Sequence, residues 1–254
     1  MARPRLVVLD ASHGNEDTRR NFRRELDADL VEFDVTAGDL PGTGDAFPDV
    51  DGVVVTGSRA SVYWDEPWIP AVKEWTAAAI DRDLPALGVC WGHQLLADVL
   101  GGEVAAMDAY ELGYVEIERT TTNDPLFEGI DRSFTAFATH SDEVVTLPPG
   151  AELLAANDRS IHGFRTGDVY GVQFHPEYDR GTARRVTEGK RDDEASDERV
   201  DRALATIDAE RYEAACEAKQ VFANFLAIVA ERSGEHAGEE AVPWTDSRES
   251  ASTD

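Results

Sequence analysis

The chain contains little cysteine and no long hydrophobic run. Two of its 254 residues are cysteine, Cys90 and Cys216, so a disulfide framework is not expected, and no Cys/His spacing is typical of a zinc site. No segment approaches the roughly 20 apolar residues that span a bilayer, and the apolar run at residues 6–9 is too short for a signal peptide. We therefore expect a cytoplasmic protein with no membrane partner, no metal and no cofactor.

The chain is also poor in lysine and in positive charge generally. Only three of its 24 basic residues are lysine, and 51 acidic residues give a formal net charge of −27. Such a surface repels nucleic acids and anionic membranes, so neither is expected as a partner. The pattern resembles the acidic surfaces of proteins from salt-loving archaea. We interpret it as adaptation to environment and not as a sign of function.

Apolar and amphipathic segments alternate through the first hundred residues. Strands are predicted at residues 6–10, 30–36, 50–56 and 84–89, and helices at 17–26, 68–82 and 92–100. This alternation predicts an α/β fold with a doubly wound, mostly parallel sheet of the flavodoxin-like kind and helices on both faces. A smaller, mostly antiparallel portion is predicted from short strands at residues 104–107, 114–119, 134–139, 144–147, 153–156, 161–165 and 169–174.

The C-terminal third is strongly charged. Residues 180–200 are expected to form a solvated helix or a flexible excursion, and residues 207–231 an amphipathic helix. The polar, acidic segment 234–254 is expected to be disordered. The chain is therefore predicted to form one domain over residues 1–233, followed by an acidic tail.

The segment Gly88-Val89-Cys90-Trp91-Gly92 follows an apolar strand and matches the small-x-nucleophile-x-small pattern of a nucleophile elbow. The glycines leave room for a tight turn, and the N-terminus of the following helix favours a reactive thiolate. The backbone amide of Trp91 is then placed to donate to an oxyanion. Cys216 lies in a predicted helix without glycines and is expected to be structural.

A histidine and a glutamate follow the apolar run at residues 169–174. Proline at position 176 favours an extended conformation for His175, and residues two apart in an extended chain project to the same side. Glu177 can therefore orient the imidazole of His175 while His175 accepts the thiol proton. This is the arrangement of nucleophile, base and orienting group in a catalytic triad.

A third element is the turn Thr56-Gly57-Ser58, which follows the strand predicted at residues 50–56. Glycine at the end of a strand lets the backbone approach a ligand, so the amide of Gly57 is a candidate second oxyanion donor. By itself such a glycine indicates only a turn.

Taken together, these motifs resemble the class I, triad-type glutamine amidotransferases. The turn at Gly57, the elbow with His93-Gln94 and the strand ending in His-Pro-Glu occur in the expected order over residues 5–178. Within the family, the chain is most similar to stand-alone domains that resemble the glutaminase part of GMP synthase.

The resemblance implies a role for each motif. Cys90 would attack the side-chain amide of glutamine, His175 would protonate the departing ammonia, and water would hydrolyse the γ-glutamyl thioester. The oxyanion would be held by the amides of Gly57 and Trp91. The substrate-binding residues implied are Gln94 and, in a predicted loop at residues 139–143, His140, Ser141 and Asp142. A purely structural role for His140 is equally open, and His13 and His162 are expected to be structural.

The chain has no Gly-rich, Lys-containing ATP-binding loop, so the acceptor of the ammonia would belong to a separate synthase subunit or be absent.

Two alternatives to a glutaminase remain. A γ-glutamyl peptidase or hydrolase on the same scaffold would form the same thioester with a different leaving group. The glutaminase and the hydrolase are distinguished by whether the cleft beyond the amide nitrogen is open. A non-catalytic regulatory protein is the other alternative, and the intact Cys90, His175 and Glu177 weigh against it.

Overall fold

The computed structural model describes residues 3–191 and 196–239, and within them nine strands form one sheet in the order β2-β1-β3-β4-β9-β8-β7-β5-β6. The strands are β1 (Arg5–Asp10), β2 (Asp29–Asp34), β3 (Gly52–Val55), β4 (Ala86–Val89), β5 (Glu103–Arg119), β6 (Ser133–Thr146), β7 (Glu152–Ala156), β8 (Ile161–Thr166) and β9 (Val169–Val172). The helices are α1 (Glu16–Glu25), α2 (Trp68–Ile80), α3 (Trp91–Val99), α4 (Arg180–Gly189), α5 (Asp197–Thr206), α6 (Ala209–Ala215) and α7 (Gln220–Glu239). None of the helices in this part of the chain is long and apolar enough to cross a membrane.

Strands β2, β1, β3, β4 and β9 form a parallel ladder that is covered by helices on both faces. Leu6 of β1 packs in a core with Phe22 of α1 and Phe222 of α7, whereas Val7 packs on the opposite face with Trp75 of α2. Burial on both faces explains why β1, β3 and β4 are continuous apolar runs. The predicted doubly wound α/β fold is confirmed, and the ladder order matches that of flavodoxin-like sheets.

The carboxyl ends of the parallel strands meet at one edge of the sheet. From β1 the chain passes outward to β2 on one side, and β3 and β4 then add on the other side. Open α/β sheets bind ligands in the crevice that forms where the strand order reverses in this way. This edge carries Gly57 after β3, Cys90 after β4 and His175 after β9, so the fold alone brings the three motifs together.

The antiparallel portion continues the same sheet, but its strands differ from the prediction. In place of four short strands, β5 and β6 span 17 and 14 residues and pair along most of their length. At one irregularity, residues 107–110 of β5 stand opposite the single residue Ser141. The loop predicted at residues 139–143 is therefore wrong, because these residues lie within β6. Their polar side chains suggested solvent exposure, whereas His140 and Asp142 are buried.

The charged C-terminal third is largely helical. Helices α4 and α5 occupy most of residues 180–200, while residues 192–195 lie outside the described residues. The single helix predicted at residues 207–231 is instead α6, a 3-10 turn at Cys216–Lys219, and α7. Helix α7 continues to Glu239, so it crosses the boundary predicted after residue 233. Residues 240–254 of the predicted tail lie outside the described residues.

Candidate active site

Cys90 occupies a strained turn between β4 and α3. Its φ of 54° and ψ of −104° lie in a region that costs a residue with a side chain about 1–3 kcal/mol. A Cβ atom added to Gly88 would lie 2.2 Å from the carbonyl oxygen of Gly92, and one added to Gly92 would lie 2.3 Å from that of Val55. Because these neighbours are backbone atoms, no side-chain movement relieves the contacts. Both positions therefore require glycine, as the elbow motif suggested.

His175 and Glu177 lie side by side beneath this turn. Nδ1 of His175 is 2.8 Å from Oε1 of Glu177, and both side chains are buried. The backbone amide of His175 donates to the carbonyl oxygen of Phe137 on β6 at 2.8 Å, and Tyr178 stacks on the imidazole at a centroid distance of 4.2 Å. These contacts fix the ring in one orientation, with its other nitrogen available to the thiol.

The imidazole and the thiol are electrostatically coupled. Burial alone would lower the pKa of His175, but the negative charges of Glu177 and of a Cys90 thiolate, together with hydrogen bonds to both, raise it to about 10. His175 therefore holds its proton at neutral pH.

The two predicted oxyanion donors flank Cys90. Trp91 is the first residue of α3, and the backbone N–H at this position of a helix has no intrahelical acceptor. Gly57 lies so close to the pair that an added Cβ atom would be 3.0 Å from Cε1 of His175 and 3.6 Å from Cβ of Cys90. Backbone from two different strand ends thus lies close to Cys90.

Two cavities meet at Cys90. The larger, of about 420 Å³, opens on the side of His175 and is also lined by Ser12, His13 and Arg185. The smaller, of about 30 Å³, lies on the other side of the thiol. Its lining includes all four residues predicted to bind substrate, namely Gln94, His140, Ser141 and Asp142.

The side chains of Gln94 and His140 brace this small cavity from behind. Nε2 of Gln94 and Nδ1 of His140 each lie 2.9 Å from the backbone carbonyl oxygen of Asp142. Nε2 of Gln94 also donates to Oε1 of Gln173 at 3.0 Å. Both side chains are almost fully buried, so their hydrogen bonds hold the Ser141–Asp142 backbone in place.

The side chain of Asp142 connects β6 to the segment after β3. Its carboxylate accepts hydrogen bonds from Oγ of Ser61 and, at 2.9 Å, from the hydroxyl of Tyr63. Ser141, by contrast, is exposed. The four predicted residues therefore share one cavity but differ in accessibility.

Comparison with known proteins identifies the family. The sequence model of the family glutamine amidotransferase class-I matches residues 12–188. The chain belongs to the class I glutamine amidotransferase family. Among curated proteins, this chain is 34% identical over 177 residues to a GMP synthase [glutamine-hydrolyzing] from Thermomicrobium roseum, covering 68% of this chain and 31% of the relative. The chain thus spans about a third of that relative.

Shorter relatives and solved structures agree with this assignment. One relative, which is a single subunit of a GMP synthase [glutamine-hydrolyzing] from Methanococcus maripaludis, is 37% identical over 165 residues, covering 61% of this chain and 82% of the relative. In structure, the chain resembles a glutamine amidotransferase from Thermotoga maritima with a TM-score of 0.73 and 22% identity, covering 89% of this chain and 99% of the other. At that identity the structural likeness supports the fold alone.

Several residues at the candidate active site were not predicted from the sequence. Ser12 and His13 line the larger cavity, although His13 was expected to be structural. Their signal in the sequence is a strand followed by Ser-His-Gly, since His13 and Gly14 both adopt positive φ at the end of β1. The carbonyl oxygen of Thr139, 3.8 Å from Sγ of Cys90, and the ring of Tyr178 gave no comparable signal.

Proposed function

We propose that the chain hydrolyses the side-chain amide of glutamine through a γ-glutamyl thioester on Cys90, giving glutamate and ammonia. One observation carries the proposal. A buried cysteine at a strained strand-to-helix turn faces an imidazole that a buried carboxylate orients at 2.8 Å and keeps protonated.

The proposed reaction has two halves. The Cys90 thiolate attacks the amide carbon, and the amides of Gly57 and Trp91 stabilise the negative oxygen of the tetrahedral intermediate. His175 gives its proton to the nitrogen, and ammonia leaves with the C–N electron pair. His175 then accepts a proton from water, whose oxygen attacks the thioester, and the Cys90 thiolate departs as glutamate forms.

The amino and carboxylate end of the γ-glutamyl half of the substrate is proposed to lie against the small cavity. This cavity adjoins both Cys90 and the Ser141–Asp142 segment, whose polar atoms suit the charged end of an amino acid. Since Nε2 of Gln94 and both ring nitrogens of His140 already have hydrogen-bond partners, we propose that they act by holding this segment. Backbone groups at positions 141 and 142 and the Asp142 carboxylate would contact the substrate.

The acceptor of the ammonia is proposed to be a separate synthase subunit. The support is the similarity to short relatives that are each named as one subunit of a GMP synthase, of which this chain covers most of the length. The synthase would dock over the open edge of the sheet where the larger cavity lies.

A γ-glutamyl hydrolase is the second candidate, and the size of the larger cavity favours it. Ammonia is a leaving group of one heavy atom, whereas about 420 Å³ is open on the side of His175. A peptide or alkylamine attached to the γ-carbonyl would fit this space. The thioester and the roles of Cys90, His175 and Glu177 would be unchanged.

Hydrolysis of glutamine and of a γ-glutamyl dipeptide by the purified protein in high-salt buffer separates the two candidates. Cys90→Ser is the inactive control, and Cys216→Ser is the matched control for loss of a thiol. Ammonia release that Cys90→Ser abolishes supports the glutaminase. Cleavage of the dipeptide alone replaces it by the hydrolase. If neither substrate reacts, failure of an electrophilic glutamine analogue to label Cys90 would contradict both.

A further inference from the structure

Three side chains from three different strands converge in the interior behind the small cavity. Glu111 lies on β5, His140 on β6 and His162 on β8, and each side chain is at most 1% exposed. Oε2 of Glu111 is 2.8 Å from Nε2 of His140 and 3.1 Å from Nε2 of His162. The imidazole planes cross at 83°. The two imidazole nitrogens therefore converge on one carboxylate oxygen, which we call the convergence point.

The hydrogen bond on the far side of His140 restricts what can occupy that point. A carbonyl oxygen only accepts, so Nδ1 of His140 must donate its proton to the Asp142 carbonyl at 2.9 Å. That leaves Nε2, 2.8 Å from Oε2 of Glu111, as the ring nitrogen that can bind a cation shared with the carboxylate.

We infer that Glu111, His140 and His162 form a binding site for a divalent transition metal of the zinc class. Two imidazole nitrogens and one carboxylate oxygen are a donor set that zinc accepts, and the three ligand atoms lie within 4.8 Å of one another. Because the site is buried, the ion would enter as the protein folds.

The neighbouring groups suit an outer shell for such an ion. Ligating histidines usually donate their second ring N–H to a carbonyl or carboxylate, as His140 does to Asp142. Nδ2 of Asn157 donates to the second oxygen of Glu111 at 2.9 Å, with Nε of Arg159 4.0 Å from the same oxygen. Oγ of Ser160 lies 3.1 Å from Nε2 of His162.

His162 depends on the cluster for its orientation. Its Nδ1 is buried and has no hydrogen-bond partner among the described residues, so its Nε2 makes the only polar contacts that hold the ring. A ligand at the convergence point would anchor a ring that is otherwise held by packing against Phe174.

The metal would act on the candidate active site through one hydrogen bond, from Nδ1 of His140 to the carbonyl oxygen of Asp142. Fixing Nε2 of His140 fixes its Nδ1–H on the Asp142 carbonyl, which borders the small cavity. The ion would therefore stabilise the cavity wall and take no part in bond breaking. No local motif indicates this site, because its ligands come from three separate strands and are far apart in the sequence.

The test is metal analysis of the full-length protein refolded in buffer with Zn²⁺ and then dialysed. We expect about one equivalent of zinc per chain and a lower melting temperature after treatment with a strong chelator. Because the side chains of Cys90 and His175 are also of the kinds that bind zinc, the measurement is made in Cys90→Ser. Refolding with Co²⁺ should give the visible absorption of a four-coordinate site.

Substitutions localise the ion. His162→Gln should lower zinc affinity by more than the roughly 10- to 100-fold expected for loss of an outer-shell partner in Asn157→Ala. His13→Gln, a histidine outside the cluster, should bind zinc like its parent. If His162→Gln does not fold, Asn157→Ala and the Co²⁺ spectrum still decide. Absence of bound metal with no effect of the chelator, or equal zinc in His162→Gln, would overturn the inference and leave a buried His140–Glu111 ion pair.

Discussion

The two sides of the Cys90 thiol are held in place by different kinds of force. On the elbow side, backbone atoms exclude any side chain at Gly88 and Gly92 and hold Cys90 at positive φ. On the β6 side, hydrogen bonds from Gln94 and His140 hold the carbonyl of Asp142. Overlap of a side chain with backbone atoms costs about 1–3 kcal/mol or more, whereas single hydrogen bonds contribute about 1 kcal/mol each. Changes at the elbow should therefore have the larger effects, and changes in the Ser141–Asp142 segment of β6, which we call the β6 wall, the smaller ones.

The largest effect is expected at Cys90 itself. Cys90→Ala should lower kcat/KM for glutamine by about 10⁴-fold or more, because removing the nucleophile of a triad costs nearly all of its catalysis. Ammonia release measures this loss. Cys216→Ala, which removes the half-buried thiol at the end of α6, should keep the parental rate. Comparable losses in both variants would mean that the elbow has no special role.

The next effect is expected at Glu177, which links the two sides through His175. Glu177→Gln should lower kcat by roughly 10²- to 10⁴-fold, since the imidazole loses the negative charge that orients it and keeps it protonated. The negative charge of Glu177 raises the pKa of His175, so the alkaline limb of the pH–rate profile should move to lower pH in this variant.

Stability should follow the same titration. The pKa of His175 is about 10 in the folded protein and near 6.5 in the unfolded chain, so protonated His175 stabilises the fold fully below pH 6.5. This contribution is lost as the pH rises from 6.5 to about 10. Chemical denaturation at several pH values should show a smaller loss over this interval in Glu177→Gln. An unchanged profile would contradict the proposed coupling.

The steric claim about the elbow can be isolated from chemistry. Gly92→Ala would place a Cβ atom 2.3 Å from the backbone of Val55 and should lower the free energy of unfolding by about 3 kcal/mol. Gly189→Ala, where nothing lies within 4 Å, should instead raise it by about 0.5–1 kcal/mol. Chemical denaturation at fixed high salt measures both, and similar effects at the two glycines would remove the basis of the comparison.

The contrast also explains what could be predicted from the sequence. The elbow is encoded within five consecutive residues, and β1, β3 and β4 are continuous apolar runs, so local patterns were sufficient for both. Antiparallel β5 and β6 were divided into short strands because buried polar residues such as His140 and Asp142 interrupt the apolar pattern. Their partners, Glu111 and Tyr63, are distant in sequence, and a single chain gives no sign of such pairs.

The smallest effect on activity is expected at the β6 wall. Removal of the Tyr63 hydroxyl is the mildest change that tests it. That hydroxyl donates to the Asp142 carboxylate at 2.9 Å, while the residue is 51% exposed. Tyr63→Phe removes one hydrogen bond near solvent and leaves the carboxylate bonded to Ser61. KM for glutamine should therefore rise by about fivefold, which corresponds to roughly 1 kcal/mol, with kcat unchanged. Trp64→Phe, an equally exposed neighbour, should leave both constants at parental values. A fall in kcat in Tyr63→Phe would instead show that the wall contributes to the reacting geometry, and the division between a rigid elbow and an adjustable wall would no longer hold.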